Sequence, residues 1–330
     1  MFDVISIGTA TQDVFLRLTK NETNPSFAKA TEGEPLCFQS GSKNEVEKPV
    51  FATGGGAVNA AVTFSRQGLK TAALFRVGED QSGENLWKEM RDEDIHFWKI
   101  IDSNIGTAYA TILLSINGER TILTYRGAAE GVSLKEIPFD QLKTRWAAIF
   151  PSYIDVGAMG KIIDHFYFQG TLITFNPSKF YLEKHAYNLR PFLDKIKVLF
   201  VNREEAAQLT GASPDNEKAL FKKLDKLVKG IAVMTDGPRG VWVSSGQEIY
   251  HAGVFMEKII ADRTGAGDAF ASGFVAGLIQ KDDIEYAIRL GSANATSVVE
   301  QIGAHIGSLT KKQFEEGRRW HDLKVVIHKS

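Results

Sequence analysis

Short runs of apolar and β-branched residues alternate along this chain with segments of helical period. The predicted strands are Val4–Ile7, Thr71–Val77, Ala147–Phe150, Leu172–Phe175, Val198–Val201 and Ile231–Met234. The predicted helices are Ala57–Gln67, Ser82–Glu93, Tyr181–Leu193, Arg203–Leu209, Glu217–Val228, Asp268–Ile279, Ile284–Val299 and Lys311–His321. Strands and helices in alternation predict an α/β fold, in which helices cover both faces of a mostly parallel sheet. Ligands of such sheets bind beyond the carboxyl ends of the strands.

A small second sheet is predicted from two stretches that interrupt the alternation. The strands Thr107–Ser115 and Arg120–Tyr125 flank Asn117-Gly118, a pair that favours a tight type I′ hairpin turn. The polar stretch Lys20–Lys48 has no periodicity, so it is either a disordered surface insertion or a loop between two flanking strands. The flanking strands would be Val14–Leu18 and Val46–Phe51.

In the second interpretation, segments 14–52 and 107–125 form a small β-sheet that projects as a lid over the site. The sequence contains no interdomain linker and no internal repeat. Residues 1–330 are therefore predicted to form one domain with the lid inserted in it.

Composition and charge exclude several classes of function. The formal net charge of −1 gives no overall basic field for nucleic acid or for an anionic membrane. No run of eighteen apolar residues exists, and the N-terminus lacks the cationic region and cleavage site of a signal peptide. Cys37 is the only cysteine, which excludes an internal disulfide. We expect a cytoplasmic protein that acts on small molecules.

The segment Asp262–Asp268 precedes an apolar helix and combines small residues with a carboxylate at the helix start. Unpaired backbone N–H groups of Gly265, Ala266 and Gly267 and the positive end of the helix dipole would hold an anion there. Asp268 beside such an anion suits a general base that takes a proton from an attacking hydroxyl group. This combination indicates phosphoryl transfer to an alcohol, although Asp268 is also compatible with a simple helix-terminal acid.

A second glycine-rich segment, Gly54-Gly55-Gly56, enters a predicted helix that carries Asn59 one turn later. The backbone of such a segment can approach a ligand closely, and the Asn59 amide can bind hydroxyl groups. Two alternatives stay open, a nicotinamide-dependent oxidoreductase and a purely structural turn. The dinucleotide-binding pattern is incomplete, because Asn59 occupies its third glycine position.

Together these segments resemble the signatures of the PfkB, or ribokinase-like, family of sugar and nucleoside kinases. Gly54 to Gly78 is similar to the N-terminal signature, and Asp262–Asp268 is similar to the C-terminal one. Asn202-Arg203-Glu204-Glu205 is similar to the family's Asn-x-x-Glu motif. The resemblance implies a three-layer α/β/α sandwich with a small β lid, and it covers the chain except the stretch Lys20–Lys48.

The resemblance also implies roles for individual residues. Asp268 would be the base, and the backbone of Gly265, Ala266 and Gly267 the anion hole. The nucleotide would lie against Asn176, Asn202, Thr235, Gly237, Arg263 and Asn294, and Glu205 would hold Mg²⁺ through water. The acceptor would contact Asp13, Gly55, Gly56, Asn59 and Arg126. A monovalent cation, K⁺, would lie near Asp262, Thr264 and Gly303.

Two positions depart from the family pattern. Arg263 stands where members carry a small residue or threonine, and Gly56 stands where ribokinases carry a sugar-contacting lysine. The predicted function is Mg²⁺- and ATP-dependent phosphorylation of a hydroxymethyl group on a sugar or a nucleoside, with a homodimer through the lid also implied. The alternatives are a nucleoside kinase rather than a sugar kinase, and a catalytically silent binding protein of the same fold.

Overall fold

The computed structural model of the protein describes residues 1–17, 40–114, 120–151 and 153–329. Its strands are β1 Phe2–Gly8, β2 Thr11–Arg17, β3 Val50–Gly54, β4 Thr71–Leu74, β5 Arg76–Gly78, β6 His96–Phe97, β7 Ile100–Asp102, β8 Tyr109–Leu114, β9 Arg120–Tyr125, β10 Thr144–Phe150, β11 Leu172–Phe175, β12 Val198–Asn202, β13 Ile231–Thr235, β14 Val241–Ser244, β15 Glu248–Ala252 and β16 Val325–Lys329. Its α-helices are α1 Gly56–Arg66, α2 Gln81–Asp92, α3 Val156–Phe168, α4 Lys179–Leu193, α5 Arg203–Thr210, α6 Glu217–Leu227, α7 Ala266–Lys281, α8 Ile284–Val299 and α9 Lys311–Glu316.

The large sheet has ten strands in the order β16-β15-β14-β13-β12-β11-β10-β1-β4-β6. The seven strands from β13 to β6 are parallel to their neighbours, whereas β14, β15 and β16 pair antiparallel at one edge. Parallel neighbours require a crossover, and helices supply it. The predicted mostly parallel sheet is confirmed.

Side chains of the central strands alternate between two hydrophobic cores, one on each face of the sheet. In β12, Leu199 and Val201 join the core that contains α3 to α6, while Val198 and Phe200 join the core that contains α1, α7 and α8. Strands covered on both faces are apolar at every position, which explains why these runs show no polar alternation. The predicted α/β/α arrangement of layers is confirmed.

The small sheet has the strand order β3-β2-β8-β9. Strands β8 and β9 pair antiparallel, as the predicted hairpin requires, although its Asn117-Gly118 turn lies outside the described residues. Strands β2 and β3 correspond to the predicted flanking strands with shifted bounds. Most of the stretch Lys20–Lys48 lies outside the described residues as well. A lid role for this sheet stays a prediction.

Two sequence predictions differ from the structure in detail, and several elements were not predicted. The predicted strand Thr71–Val77 is split at Phe75, because β4 pairs in the large sheet while β5 pairs with β7. The predicted helix Lys311–His321 ends at Glu316, and Gly317 leads into a 3₁₀ turn over Arg318–Trp320. Helix α3 and the antiparallel strands β14 to β16 were not predicted. In the part of the chain that is described, no helix has the length and apolar character needed to cross a membrane.

Candidate active site

The N-terminus of α7 forms the centre of the candidate site. Gly265 precedes the helix with a φ of +79°, in the left-handed region that favours glycine. A methyl group at this position would also overlap the carbonyl oxygen of Ala304. The Ala266 N–H donates to the Arg263 carbonyl at 3.4 Å, whereas the Gly267 N–H, in the first turn, has no partner within the helix and is available to a ligand. This local geometry provides an anion-binding helix terminus.

Asp268 lies in the same first turn of α7 and is half-buried. Its Oδ2 accepts a hydrogen bond of 2.8 Å from Nδ2 of Asn59, which α1 contributes. Burial raises the pKa of Asp268, and the hydrogen bond from Asn59 offsets part of this rise. A carboxylate with a raised pKa beside an anion-binding helix terminus has the properties of a general base.

A cavity of about 250 Å³, called the central cavity below, connects Asp268 to the ends of four neighbouring parallel strands. Phe150, Asn176, Asn202 and Thr235 stand at the carboxyl ends of β10, β11, β12 and β13, where α/β sheets bind ligands. The residues that line it are Gly56, Phe150, Asn176, Pro177, Ser178, Phe200, Val201, Asn202, Glu205, Thr235, Gly267 and Asp268.

The motif Asn202-x-x-Glu205 forms a reciprocal cap at the start of α5. The Asn202 side chain accepts from the Glu205 N–H at 2.8 Å, and Glu205 Oε2 accepts from the Asn202 N–H at 2.8 Å. Glu205 is nevertheless part of the central cavity lining, and burial raises its pKa. Among the described residues, no group of three or more His, Cys, Asp or Glu side chains has an arrangement that could hold a metal ion.

A second cavity of about 190 Å³, called the side cavity below, adjoins the central one through Thr235 and Gly267. Three predicted nucleotide or phosphate residues, Gly237, Arg263 and Ala266, contribute to its walls. Its lining comprises Thr235, Gly237, Pro238, Gly240, Val241, Gly253, Val254, Glu257, Arg263, Ala266, Gly267, Phe270, Ser292, Ala295, Thr296 and Val299. Apolar side chains predominate, which suits a flat aromatic group.

The three residues predicted for a monovalent cation lie together. Asp262 is fully buried, and its Oδ1 accepts from the N–H and hydroxyl of Thr264 at 2.9 and 2.7 Å. Its Oδ2 accepts from the N–H of Gly303 at 3.4 Å. These bonds fix the loop that leads into α7.

Asp13 lies on β2 with only 4% of its surface exposed. Burial raises its pKa to about 6, against opposing contributions from the Thr11 hydroxyl and from His305. Oδ1 of Asp13 has no hydrogen-bond partner, whereas Oδ2 packs so closely on Gly54 that a side chain there would overlap it. Gly55, with a φ of +91°, turns the chain into α1.

Of the predicted binding residues, Asp13, Gly55, Asn59, Arg126 and Asn294 line neither cavity. The guanidinium of Arg126 lies over the Tyr153 ring at 4.6 Å and pairs with Glu130 at 3.4 Å. The Asn294 amide is buried, donates to Thr63 and to the Ala269 carbonyl, and accepts from the Leu309 N–H. This geometry favours a packing role for Asn294 over contact with a nucleotide.

Several residues near the site had escaped the sequence prediction. Phe150 ends a predicted strand, so its position at the ligand-binding edge was available from the pattern. Glu257 lies in a loop, and nothing in the local sequence indicates that it lines the side cavity. His305 is buried next to Asn59, from which 246 residues separate it in sequence.

Comparisons with known proteins agree with the resemblance. A sequence profile of the pfkB family carbohydrate kinases matches residues 22–312. An uncharacterized sugar kinase from Archaeoglobus fulgidus is 27% identical over 250 residues, which cover 74% of this chain and 97% of that protein. A cytidine kinase from Thermococcus kodakarensis is 27% identical over 275 residues, which cover 82% of this chain and 94% of that kinase.

The crystal structure of ribokinase from Cryptococcus neoformans in complex with ADP has the same fold, with a TM-score of 0.75. The alignment covers 96% of this chain and 100% of the other at 19% identity. The predicted ribokinase-like fold and the predicted kinase class are thus confirmed. The chain belongs to the pfkB family of carbohydrate kinases.

Proposed function

We propose that the protein transfers the γ-phosphoryl group of ATP to a hydroxyl group of a sugar or nucleoside. One observation carries the proposal: Asp268, its neighbour Gly267 at the start of α7, and Glu205 line one cavity. An acceptor hydroxyl would lose its proton to Asp268 as its oxygen bonds to the γ-phosphorus. The bond between that phosphorus and the leaving ADP would break in the same step.

The raised pKa of Asp268 supports its role as the base. A carboxylate of higher pKa takes up the alcohol proton more readily than one at the ordinary value. The backbone N–H groups of Gly265, Ala266 and Gly267 would bind the oxygens of the transferring group. Their contribution would grow in the transition state, where charge spreads over those oxygens.

Glu205 and Asn202 supply the oxygen atoms that Mg²⁺ prefers, and both line the central cavity. Mg²⁺ retains several waters, so a single buried carboxylate next to the phosphates is sufficient to hold it. When bound, the ion would neutralise phosphate charge during the transfer. Glu205 would orient its waters, and the reciprocal cap with Asn202 would fix the carboxylate in place.

The nucleotide base would occupy the side cavity, with Gly237 and Arg263 at its walls. Thr235 and Gly267 border both cavities, which suits a ligand whose phosphates continue into the central one. Asn176 would contact these phosphates from the end of β11. Asp262, Thr264 and Gly303 would hold a monovalent cation such as K⁺ behind the anion hole.

Asp13 provides the main argument for the acceptor side. Its buried Oδ1 lacks a hydrogen-bond donor, and a hydroxyl of the acceptor would supply one. Gly55 and Asn59 would complete this contact. A side chain at Gly56 would lie 2.7 Å from Cβ of Phe150, so Phe150 occupies the space that a sugar-contacting lysine would need. This favours an acceptor other than ribose. The similarity to a cytidine kinase keeps nucleosides among the candidate acceptors.

Other parts of the prediction belong to the same proposal. Apolar side chains are exposed on the small sheet, among them Phe51, Leu123 and Tyr125, and they would suit a homodimer through that sheet. Arg126, beyond β9, would contact the acceptor only if this sheet closes over the site. A cytoplasmic location remains a prediction from the sequence.

An ATP-consumption assay over a panel of sugars and nucleosides tests the proposal. We expect turnover with at least one acceptor, and we expect Asp268→Asn to lower kcat by about a hundredfold or more while the protein stays folded. The control is Asp322→Asn, which removes an exposed carboxylate and should retain full turnover. No ATP consumption with any acceptor, or undiminished turnover in Asp268→Asn, would contradict the proposal.

A further inference from the structure

The mechanism above makes no use of His305, although this side chain is almost completely buried beside the site. Only 1% of its surface is exposed. It lies in the loop between α8 and α9, which Arg66 of α1 holds through its Nη1 hydrogen bonds to the carbonyls of His305, Ile306 and Ser308. Since α1 also carries Asn59, the loop is fixed relative to that residue.

Four side chains form a continuous chain of hydrogen bonds from α2 to the start of α7. Glu89 Oε1 lies 3.2 Å from Nε2 of His305, whose Nδ1 lies 3.0 Å from Oδ1 of Asn59. Asn59 Nδ2 in turn lies 2.8 Å from Oδ2 of Asp268. The Thr53 hydroxyl lies 3.5 Å from Nε2 of His305 as well. We call this arrangement the Glu89–Asp268 chain.

The hydrogens of the chain can be assigned from the chemistry of its ends. An ionised Asp268 only accepts, so the Asn59 amide group must turn its NH₂ toward it and its oxygen toward His305. That oxygen only accepts, so Nδ1 of His305 donates. Nε2 donates to the Glu89 carboxylate, so both ring nitrogens donate and His305 takes the imidazolium form. This hydrogen bond is the largest contribution to the lowered pKa of Glu89. The chain therefore specifies one of the two orientations of the Asn59 amide.

The opposite orientation of Asn59 would place its oxygen against the Asp268 carboxylate and its NH₂ against the N–H of His305. Both contacts would be repulsive, so His305 and Asp268 exclude it together. Without His305, only the bond to Asp268 would orient the amide. Asn59 is itself buried, which leaves little room for water to replace the lost donor.

We propose that His305, held by Glu89, is a positioning residue that fixes the Asn59 amide and through it the Asp268 carboxylate. The inference rests on the proposed role of Asp268 as the base. Small displacements of a catalytic group lower the rate strongly, since reaction requires near-attack geometry. Neither His305 nor Glu89 lines the two cavities, so nucleotide binding should be independent of them.

Kinetics of a double-mutant cycle test the positioning role. We expect His305→Phe to lower kcat about tenfold and to change KM for ATP less than about twofold. Glu89→Gln should lower kcat about threefold in the wild-type background and have no further effect in His305→Phe, because Glu89 acts through His305. Ser308→Ala is the control: it removes a buried 3.2 Å hydrogen bond to Thr63 from the same loop and should retain kcat. An unchanged kcat in His305→Phe, or additive effects in the cycle, overturns the inference.

A second readout does not depend on activity. The side-chain amide signal of Asn59 in a ¹⁵N NMR spectrum, identified by its absence in Asn59→Asp, should shift in His305→Phe and stay in place in Ser308→Ala. If the Asn59 signal does not shift in His305→Phe, the inference is overturned, whether or not the proposed function is correct. A moved signal in a protein that consumes no ATP with any acceptor overturns the proposed function alone.

Discussion

Replacement of Asp13 by asparagine should change the pH dependence of stability in a defined direction. Burial raises the pKa of Asp13 from its ordinary value of 3.8 to about 6 in the folded protein. Between these two values the folded state binds more protons than the unfolded state, so this residue makes stability fall as pH rises. Above about pH 6 the full cost of an ionised, buried carboxylate is present. Asparagine has no charge to bury and escapes this cost.

The magnitude follows from the pKa difference. Each pKa unit corresponds to about 1.4 kcal/mol, so the ionised Asp13 destabilises the folded state by about 3 kcal/mol above pH 7. At pH 5 the cost is only about half of this, because much of the buried group is still protonated. From pH 5 to pH 8, Asp13→Asn should therefore gain about 1 kcal/mol of stability relative to the wild type.

Urea unfolding of both proteins at pH 5 and pH 8, without ligands, measures this gain. Asp80→Asn provides a control, because folding shifts the pKa of Asp80 in the opposite direction. Burial acts to raise the pKa of Asp80, but hydrogen bonds from Thr107 and Gly83 outweigh it and lower the pKa. The stabilisation that the ionised Asp80 provides is present in full above its ordinary pKa of 3.8. The stability difference between Asp80→Asn and the wild type should therefore stay constant from pH 5 to pH 8. A difference for Asp13→Asn that is equally constant would refute the reasoning.

Two further predictions concern stability and the helices around the site. Gly265→Ala should destabilise the protein by about 2 kcal/mol, because φ is +79° and a methyl group would overlap the Ala304 carbonyl. Gly267→Ala, which meets nothing within 4 Å, should change urea stability by less than about 0.5 kcal/mol, and equal losses in both variants would contradict this. Asn294→Ala should cost about 2 kcal/mol through its buried hydrogen bonds yet leave KM for ATP within about twofold, whereas a large rise in KM would restore the nucleotide-binding role.

The parallel core of the fold was predictable because its signal is local. Each central strand is an apolar run that ends in a polar or small residue, as Val198–Asn202 illustrates. Helix α3 was missed although Met159, Ile162, Ile163 and Phe166 have helical spacing, since its two glycines weaken the propensity for a helix. Strands β14 to β16 depend on pairing with β13 and with each other, and such pairing is not visible in a short segment.

The same distinction between local and distant interactions decides which parts of the candidate site were predictable. The anion-binding turn before Asp268 and the cap of Asn202 with Glu205 are encoded within a few residues, so the motifs contain them. His305 has its partners Asn59 and Glu89 at sequence distances of 246 and 216 residues, and only the fold brings them together. Asn294 lies on the predicted helix, but the sequence did not determine which face of that helix is buried.

Three carboxyl groups at the site, Asp13, Glu205 and Asp268, have pKa values that burial raises. In the described ranges Asp225, whose partner is Ser244, is the further carboxyl with this property. Each group would ionise at its ordinary pKa in the unfolded chain, so each lowers the stability of the free protein at neutral pH. The donors that would relieve this cost are acceptor hydroxyl groups and metal-bound water. A site whose carboxylates are only partly compensated in the free protein would therefore bind the proposed ligands partly by solvating those charges.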